Sequence, residues 1–241
     1  MYEERVYRDK QQSNDLTTYH IIIDESDLMI SSDIKAEETA YSLLENLRKR
    51  IRTACLSIAG FEASLVPINK TSDDPIIQHM IDVSTKAGVG PMAAVAGTIS
   101  EQVVLETISL TDTTQMIAEN GGDIFISSKE ERKILIYAGD SPFSNKIGIR
   151  IPAADMPIGI CTSAGTVGHS LSFGNADAVV VISKDTSLAD AVATAVGNLV
   201  VCKEDIKRGL DFGKSIEGIQ GILIIIDDKM GAWGQIEIFQ A

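Results

Sequence analysis

The sequence is short of four things. Aromatic residues make up only 5% of its 241 positions, so any core must be mainly Ile, Val, Leu and Ala. There are three cysteines, Cys55, Cys161 and Cys202, far apart and without a CxxC pair. An odd, scattered set argues against a disulfide framework and a cysteine-based zinc site. It points to the reducing cytosol. Positive charge is scarce: 21 Lys and Arg against 34 Asp and Glu leave a formal charge of −13. Such a surface repels phosphate backbones and anionic lipid, so neither nucleic acid nor a membrane is an expected partner. Long apolar runs are missing too. No stretch approaches the roughly 20 residues that span a bilayer. The charged start, MYEERVYRDKQQ, is not followed by the apolar stretch of a signal peptide. These absences together predict a cytoplasmic protein.

What is present reads as one unit. No Pro-, Gly- or Ser-rich linker interrupts the chain, so residues 1–241 are expected to form a single domain. β-prone runs lie at Tyr19–Ile23 and Leu28–Ile30. A helix is expected from Ala36 to Ile58, with Asp33 as its cap and Ala40, Leu44, Leu47, Ile51, Ala54 and Ile58 on one stripe. Asp73-Asp74-Pro75 starts a second helix that ends near Gly88. Pro91 opens a third, crowded with small residues from Ala93 to Gly97. Two strands flank Glu119–Asp123 as a hairpin, and others are expected at Ile134–Tyr137, Ile147–Ile151 and Ala178–Ile182. Ser187–Leu199 reads as a helix with capping-box spacing between Ser187 and Asp190. The end reads as a hairpin of Gly221–Ile226 with Gln235–Phe239. The fold class is α+β, antiparallel sheets with packed helices, and no phosphate-binding Gly motif follows a strand.

Three stretches could carry chemistry. Asp190 and Thr194 are four residues apart, so a helix puts both on one face, Cβ atoms about 5–6 Å apart. A carboxylate and a hydroxyl are hard donors suited to Mg²⁺, which fills its remaining positions with water and substrate phosphate. Asn120-Gly121-Gly122-Asp123 offers backbone N–H groups at paired glycines and an acid for a ribose hydroxyl or base amine. Cys161 to Ser170 is dense in hydroxyls and glycines, among them Thr162, Ser163 and Gly165, and contains His169. Cys161 or Ser163 as nucleophile with His169 as base is the catalytic candidate set. The same residues also fit plainer roles: a helix cap, a hairpin turn, a polar loop. Lys70 and Lys86 are the only basic residues between Thr53 and Ser128, and Lys184 is the only one between Ile151 and Val201. A phosphorylated ligand would therefore be met mainly by a metal and by backbone N–H groups.

In this order the pieces resemble the ApbE superfamily of Mg-dependent FAD:protein FMN transferases. Gly90–Gly97 is similar to the family's small-residue segment, Asn120–Asp123 to its Asn-x-Gly-Gly-Asp turn, and Thr162–Gly165 followed by His169 to its Thr-Ser-Gly stretch. Ala189–Thr194 matches the Ala-Asp-Ala-x-Ala-Thr helix. The resemblance implies an ApbE-like fold and a metal held by Asp190, Thr194 and a backbone carbonyl near Val95. It implies Asn120, Gly121, Gly122, Asp123, Thr162, Ser163, Gly165 and His169 as contacts to FAD, FMN or another nucleotide. The start of the chain is similar to a shorter branch found in methanogens and other anaerobes, which brings an expected role in sulfide assimilation and homocysteine synthesis, with a protein partner in sulfur metabolism or a homo-oligomer. The residues depart from the transferase pattern after His169, where Ser170-Leu171-Ser172 replaces an Asp-Pro run, and at Ala96, where a Lys is usual. Three readings stay open: a flavin- or nucleotide-binding protein with Mg²⁺, an active transferase, and a non-catalytic interaction subunit. A persulfide carried by Cys161 is a further variant.

Overall fold

Local sequence signals set the helices first. In the computed structural model, which describes residues 15–165 and 173–241, Asp74 caps α2 (Pro75–Ala87) by accepting from Ile76 N and Ile77 N. Pro75 takes the first helical position, and Gly88 ends the helix at φ 76°. Asp74 also receives two bonds from Arg50, 2.6 and 2.7 Å, across from α1 (Glu37–Ser57). The stripe from Ala40 to Ala54 is the buried face of α1. A 3-10 turn, Pro91–Ala94, leads directly into α3 (Val95–Leu110).

The strands pair antiparallel throughout. One eight-stranded sheet has the order β1 (Thr17–Ile23), β2 (Ser26–Ser32), β3 (Met116–Asn120), β4 (Asp123–Ser127), β7 (Ile158–Ser163), β8 (Ala178–Ser183), β9 (Ile219–Ile226), β10 (Lys229–Gly234). A three-stranded sheet is formed by β11 (Glu237–Gln240), β6 (Ile147–Ile151) and β5 (Arg132–Leu135). Period-two alternation sends successive residues to opposite faces. Ile124, Ile126, Ile158, Ile160, Val180 and Ile182 pack toward the small sheet. Phe125, Cys161, Val179 and Val181 pack on the other side with the helices, among them α4 (Thr186–Leu199). The layers therefore run helices, large sheet, small sheet, and the architecture is the expected α+β one.

Several elements differ from the sequence expectation. Asp33 does not cap α1. Ala36 holds that position without a side-chain bond, while Asp33 accepts from the Thr114 backbone N–H and hydroxyl and so ties α1's approach to β3. Asp185, not Ser187, caps α4 by accepting from Leu188 N at 2.9 Å. The C-terminal hairpin is β9 with β10, because the chain turns at Asp227 and Asp228. The expected Gln235–Phe239 strand instead becomes β11 and pairs with β6. A fifth helix, α5 (Ile206–Lys214), is masked in the sequence by Gly209 and Gly213, which look like helix breakers. They sit against the sheet, where a Cβ on Gly213 would lie 2.2 Å from Ile222 Cδ1. Among the described residues no helix is long and apolar enough to cross a membrane.

Asp74 carries two jobs at once, cap and ion pair. The Arg50 bonds hold its carboxyl below the usual range. Asp74→Ala is expected to cost about 1–2 kcal/mol in urea unfolding, and Asp74→Asn, which keeps the cap, clearly less.

Candidate functional site

Two helix starts meet above the large sheet. The first turn of α3 touches the first turn of α4, and Gly97 makes the contact possible: a Cβ there would lie 2.5 Å from the Thr186 carbonyl oxygen and 2.8 Å from Asp190 Cβ. The N–H groups of a helix's first turn have no partner within their own helix. Here each helix serves the other. Asp190 of α4 accepts from Gly97 N at 2.8 Å. Glu101 of α3 accepts from Thr186 N at 2.8 Å. In both helices the acid stands four residues after the N–H that its partner caps.

Beneath this junction lies the double-glycine turn. Gly121 and Gly122 join β3 to β4 at φ 69° and 103°, conformations that favour glycine. Glu119 accepts from Gly122 N at 2.7 Å, and Asn120 Nδ2 reaches the Ala96 carbonyl at 3.4 Å. A Cβ on Gly122 would lie 3.5 Å from the Thr162 carbonyl oxygen. Extending the β4–β7 register one step beyond Ile124–Ile160 places Asp123 opposite Cys161. Asp190 acts electrostatically on both, so Asp123, Cys161 and Asp190 are neighbours, contributed by two strands and a helix.

The electrostatics are one-sided. Burial pushes the Asp123 carboxyl well above its usual range, and Asp190 pushes it further, against a thiol bond from Cys161. Burial raises Asp190 to about 7, although the N–H groups of Gly97 and Ala96 pull the other way. Among the described residues no Lys or Arg is among the main influences on either acid. Asp123 Oδ1 is buried without a hydrogen-bond partner, a costly state for a carboxyl oxygen. Lys184, the lone cation of its segment, is bound to the backbone carbonyls of Asp155 and Pro157.

The structure thus gathers Asp190, Asn120, Gly121, Gly122, Asp123, Cys161 and Thr162. Thr194 is one helical turn beyond Asp190 and partly exposed. Val95 opens α3, one residue before the N–H groups of Ala96 and Gly97 that face Asp190. Ser163 is buried at the end of β7, opposite Val179. Gly165 serves a close backbone approach, since a Cβ there would lie 2.0 Å from the Gly174 carbonyl oxygen. His169 lies outside the described residues. Cys161 is 0% exposed, and burial, then Asp123 and Asp190, push its thiol up. It also lies 3.4 Å from the Thr186 carbonyl oxygen. A thiol so held stays protonated, so neither the Cys161 nucleophile nor the persulfide carrier is supported. Glu101 escapes sequence reasoning, because nothing around it distinguishes it from a solvated helix acid. Among the described residues no group of three or more His, Cys, Asp or Glu side chains is arranged to hold a metal. A cation at Asp190 would therefore also need hydroxyl, carbonyl, water or phosphate oxygens.

A family model described as AbpE bacteria matches residues 8–236. The chain belongs to this family. It is 44% identical over 177 residues to a UPF0280 protein of Methanocella arvoryzae, covering 73% of this chain and 71% of that one. A UPF0280 protein of Methanococcus aeolicus is 41% identical over 214 residues, 85% and 86% of the two chains. The fold is similar to the apo flavinyl transferase ApbE of Pseudomonas stutzeri, with a TM-score of 0.62 at 12% identity, covering 90% of this chain and 94% of that one. The ApbE protein from Thermotoga maritima aligns with a TM-score of 0.61 at 13% identity, over 90% and 96% of the chains. This ApbE-like member therefore shares its architecture with flavin transferases.

Two outcomes follow from the junction. Gly97→Ala is expected to destabilise the protein by about 1–3 kcal/mol in denaturant unfolding, since the neighbours of the new methyl are backbone and a packed Cβ. The second concerns His79 Nε2, 3.1 Å from Asp185. That bond raises the His79 pKa. Burial pushes Asp185 up, but the bonds from His79 and Leu188 N leave it below its usual value. The raised His contributes stability that is full below its unfolded value, about 6.5, and is lost as pH rises through the folded value. Wild type should therefore lose part of its stability advantage over His79→Gln as the pH rises above about 6.5. Melting temperatures across that rise check it.

Proposed function

We propose that this junction binds a flavin or another nucleotide as its complex with a divalent cation, Mg²⁺ by preference. The observation that carries the reading is the buried pair Asp123 and Asp190, with Asp123 Oδ1 unpartnered and, among the described residues, no cationic side chain among the main influences on either acid. Asp190 and Thr194 are the residues that would hold the cation, with Asp123 beside them. The donor set is hard oxygen, which suits Mg²⁺. A bound cation would supply the positive charge that nucleotide phosphates need, since Lys184 is the only Lys or Arg between Ile151 and Val201.

The chain's own residues have clear parts in this reading. A carboxylate has about four lone-pair sites, so Asp190 can keep its bonds to α3 and still accept a cation. The Gly121-Gly122 turn brings backbone close to a ligand without side chains in the way. Asn120 and Asp123 offer polar contacts to sugar or base. Flavin transfer to a protein hydroxyl is the narrower reading, favoured by the transferase fold of the solved neighbours. A role in sulfide assimilation would rest on the ligand, since Cys161 is ill placed to carry sulfur.

Calorimetry decides between these. FAD or ADP should bind with Mg²⁺ or Mn²⁺ and fail to bind in EDTA. Asp190→Asn and Asp123→Asn should each weaken cation binding by about tenfold or more while the fold persists. FAD binding of equal strength with and without the metal would sink the proposal. Covalent flavin fluorescence on an acceptor peptide, given FAD and Mg²⁺, selects the transferase reading.

A further inference from the structure

The junction's symmetry gives one acid a task that its surroundings in sequence do not reveal. We propose that Glu101 is a positioning residue for Asp190: by capping Thr186 from α3 it fixes the first turn of α4, and with it the direction in which Asp190 faces Asp123. This rests on the reading of Asp190 as a cation ligand.

The argument is geometric. Thr186 is the first residue of α4, and Asp190 is one turn further on the same helix. A rigid helix carries any displacement of Thr186 to Asp190. Two acids hold that turn. Asp185 accepts from Leu188 N within the helix's own cap, and it is steadied by His79. Glu101 accepts from Thr186 N at 2.8 Å and is the one that comes from α3. Asp190 returns the bond to Gly97 at 2.8 Å. Gly97 leaves no slack, because the two backbones are already as close as a missing Cβ allows. Losing Glu101 strands the N–H of Thr186, a fully buried residue, and opens the crossing. The Asp190–Gly97 bond, at the other side of the same contact, must then loosen as well. A residue that merely filled space on α3 would not couple to Gly97 in this way.

The experiment uses the whole protein. Amide hydrogen exchange at Gly97 and Thr186 is read by NMR, and Mn²⁺ binding by calorimetry, in wild type, Glu101→Ala and Glu101→Gln. In Glu101→Ala the protection of both amides should fall, that of Gly97 by about tenfold, as expected when a hydrogen bond is lost at a distance. Mn²⁺ affinity should fall with it. Glu101→Gln keeps an acceptor oxygen and should restore both readouts to within about threefold of wild type, since only the charge-assisted part of the bond is lost. It also remains testable if the alanine variant fails to fold. Unchanged Gly97 protection in Glu101→Ala overturns the proposal. So does a glutamine variant as impaired as the alanine variant. If wild type binds no Mn²⁺ while the exchange coupling is present, the cation reading fails but Glu101 still positions Asp190.

Discussion

The structure depends on an exchange of carboxylates between two helix starts. α3 and α4 each begin with orphaned N–H groups, and each is completed by an acid from the other. Neither cap can form unless the helices cross at one depth and one angle. Gly97 sets the depth, because its missing side chain is the gap into which Thr186 fits. The floor of the large sheet and the double-glycine turn are then brought to the same point. One crossing thereby fixes the relation of three segments far apart in the chain.

This arrangement carries an electrostatic cost. Asp190 is 8% exposed and Asp123 7% exposed, and each is buried close to the other. The N–H groups of α3 offset part of the penalty at Asp190, aided by the positive end of the helix. Asp123 has no such help at Oδ1. Proteins keep such tension mostly where it serves a ligand, as perturbed acids cluster at functional sites. The fully buried thiol of Cys161 gives Asp123 one weak hydrogen bond, which offsets only a small part of that cost.

Much of this is readable from the sequence, for definite reasons. Asp74-Pro75 and Gly88 mark α2 because a cap and a left-handed stop are local chemistry. Gly121-Gly122 marks a turn because only glycine takes those angles freely. Asp190 and Thr194 fall on one helix face by spacing alone. Glu101 is not readable, since its partner Thr186 is 85 positions away and its own neighbours on α3 look ordinary. Gly97 can be seen as small but not as the point of crossing. α5 stays hidden because its glycines serve packing, and β10 because Gly231 and Gly234 blur its alternation. The family resemblance joins the three stretches before any geometry does.

The small sheet has an unusual schedule. Its middle strand, β6, pairs on one side with β5, close in the chain, and on the other with β11, at the far end of it. Phe239 of β11 fills the space over Gly148, where even one more carbon would collide with its ring. During synthesis, β5 and β6 must therefore wait with one flank open until residues 237–240 leave the ribosome. A chain stalled before that point exposes an unpaired strand edge, the kind of surface on which nascent proteins aggregate or recruit chaperones.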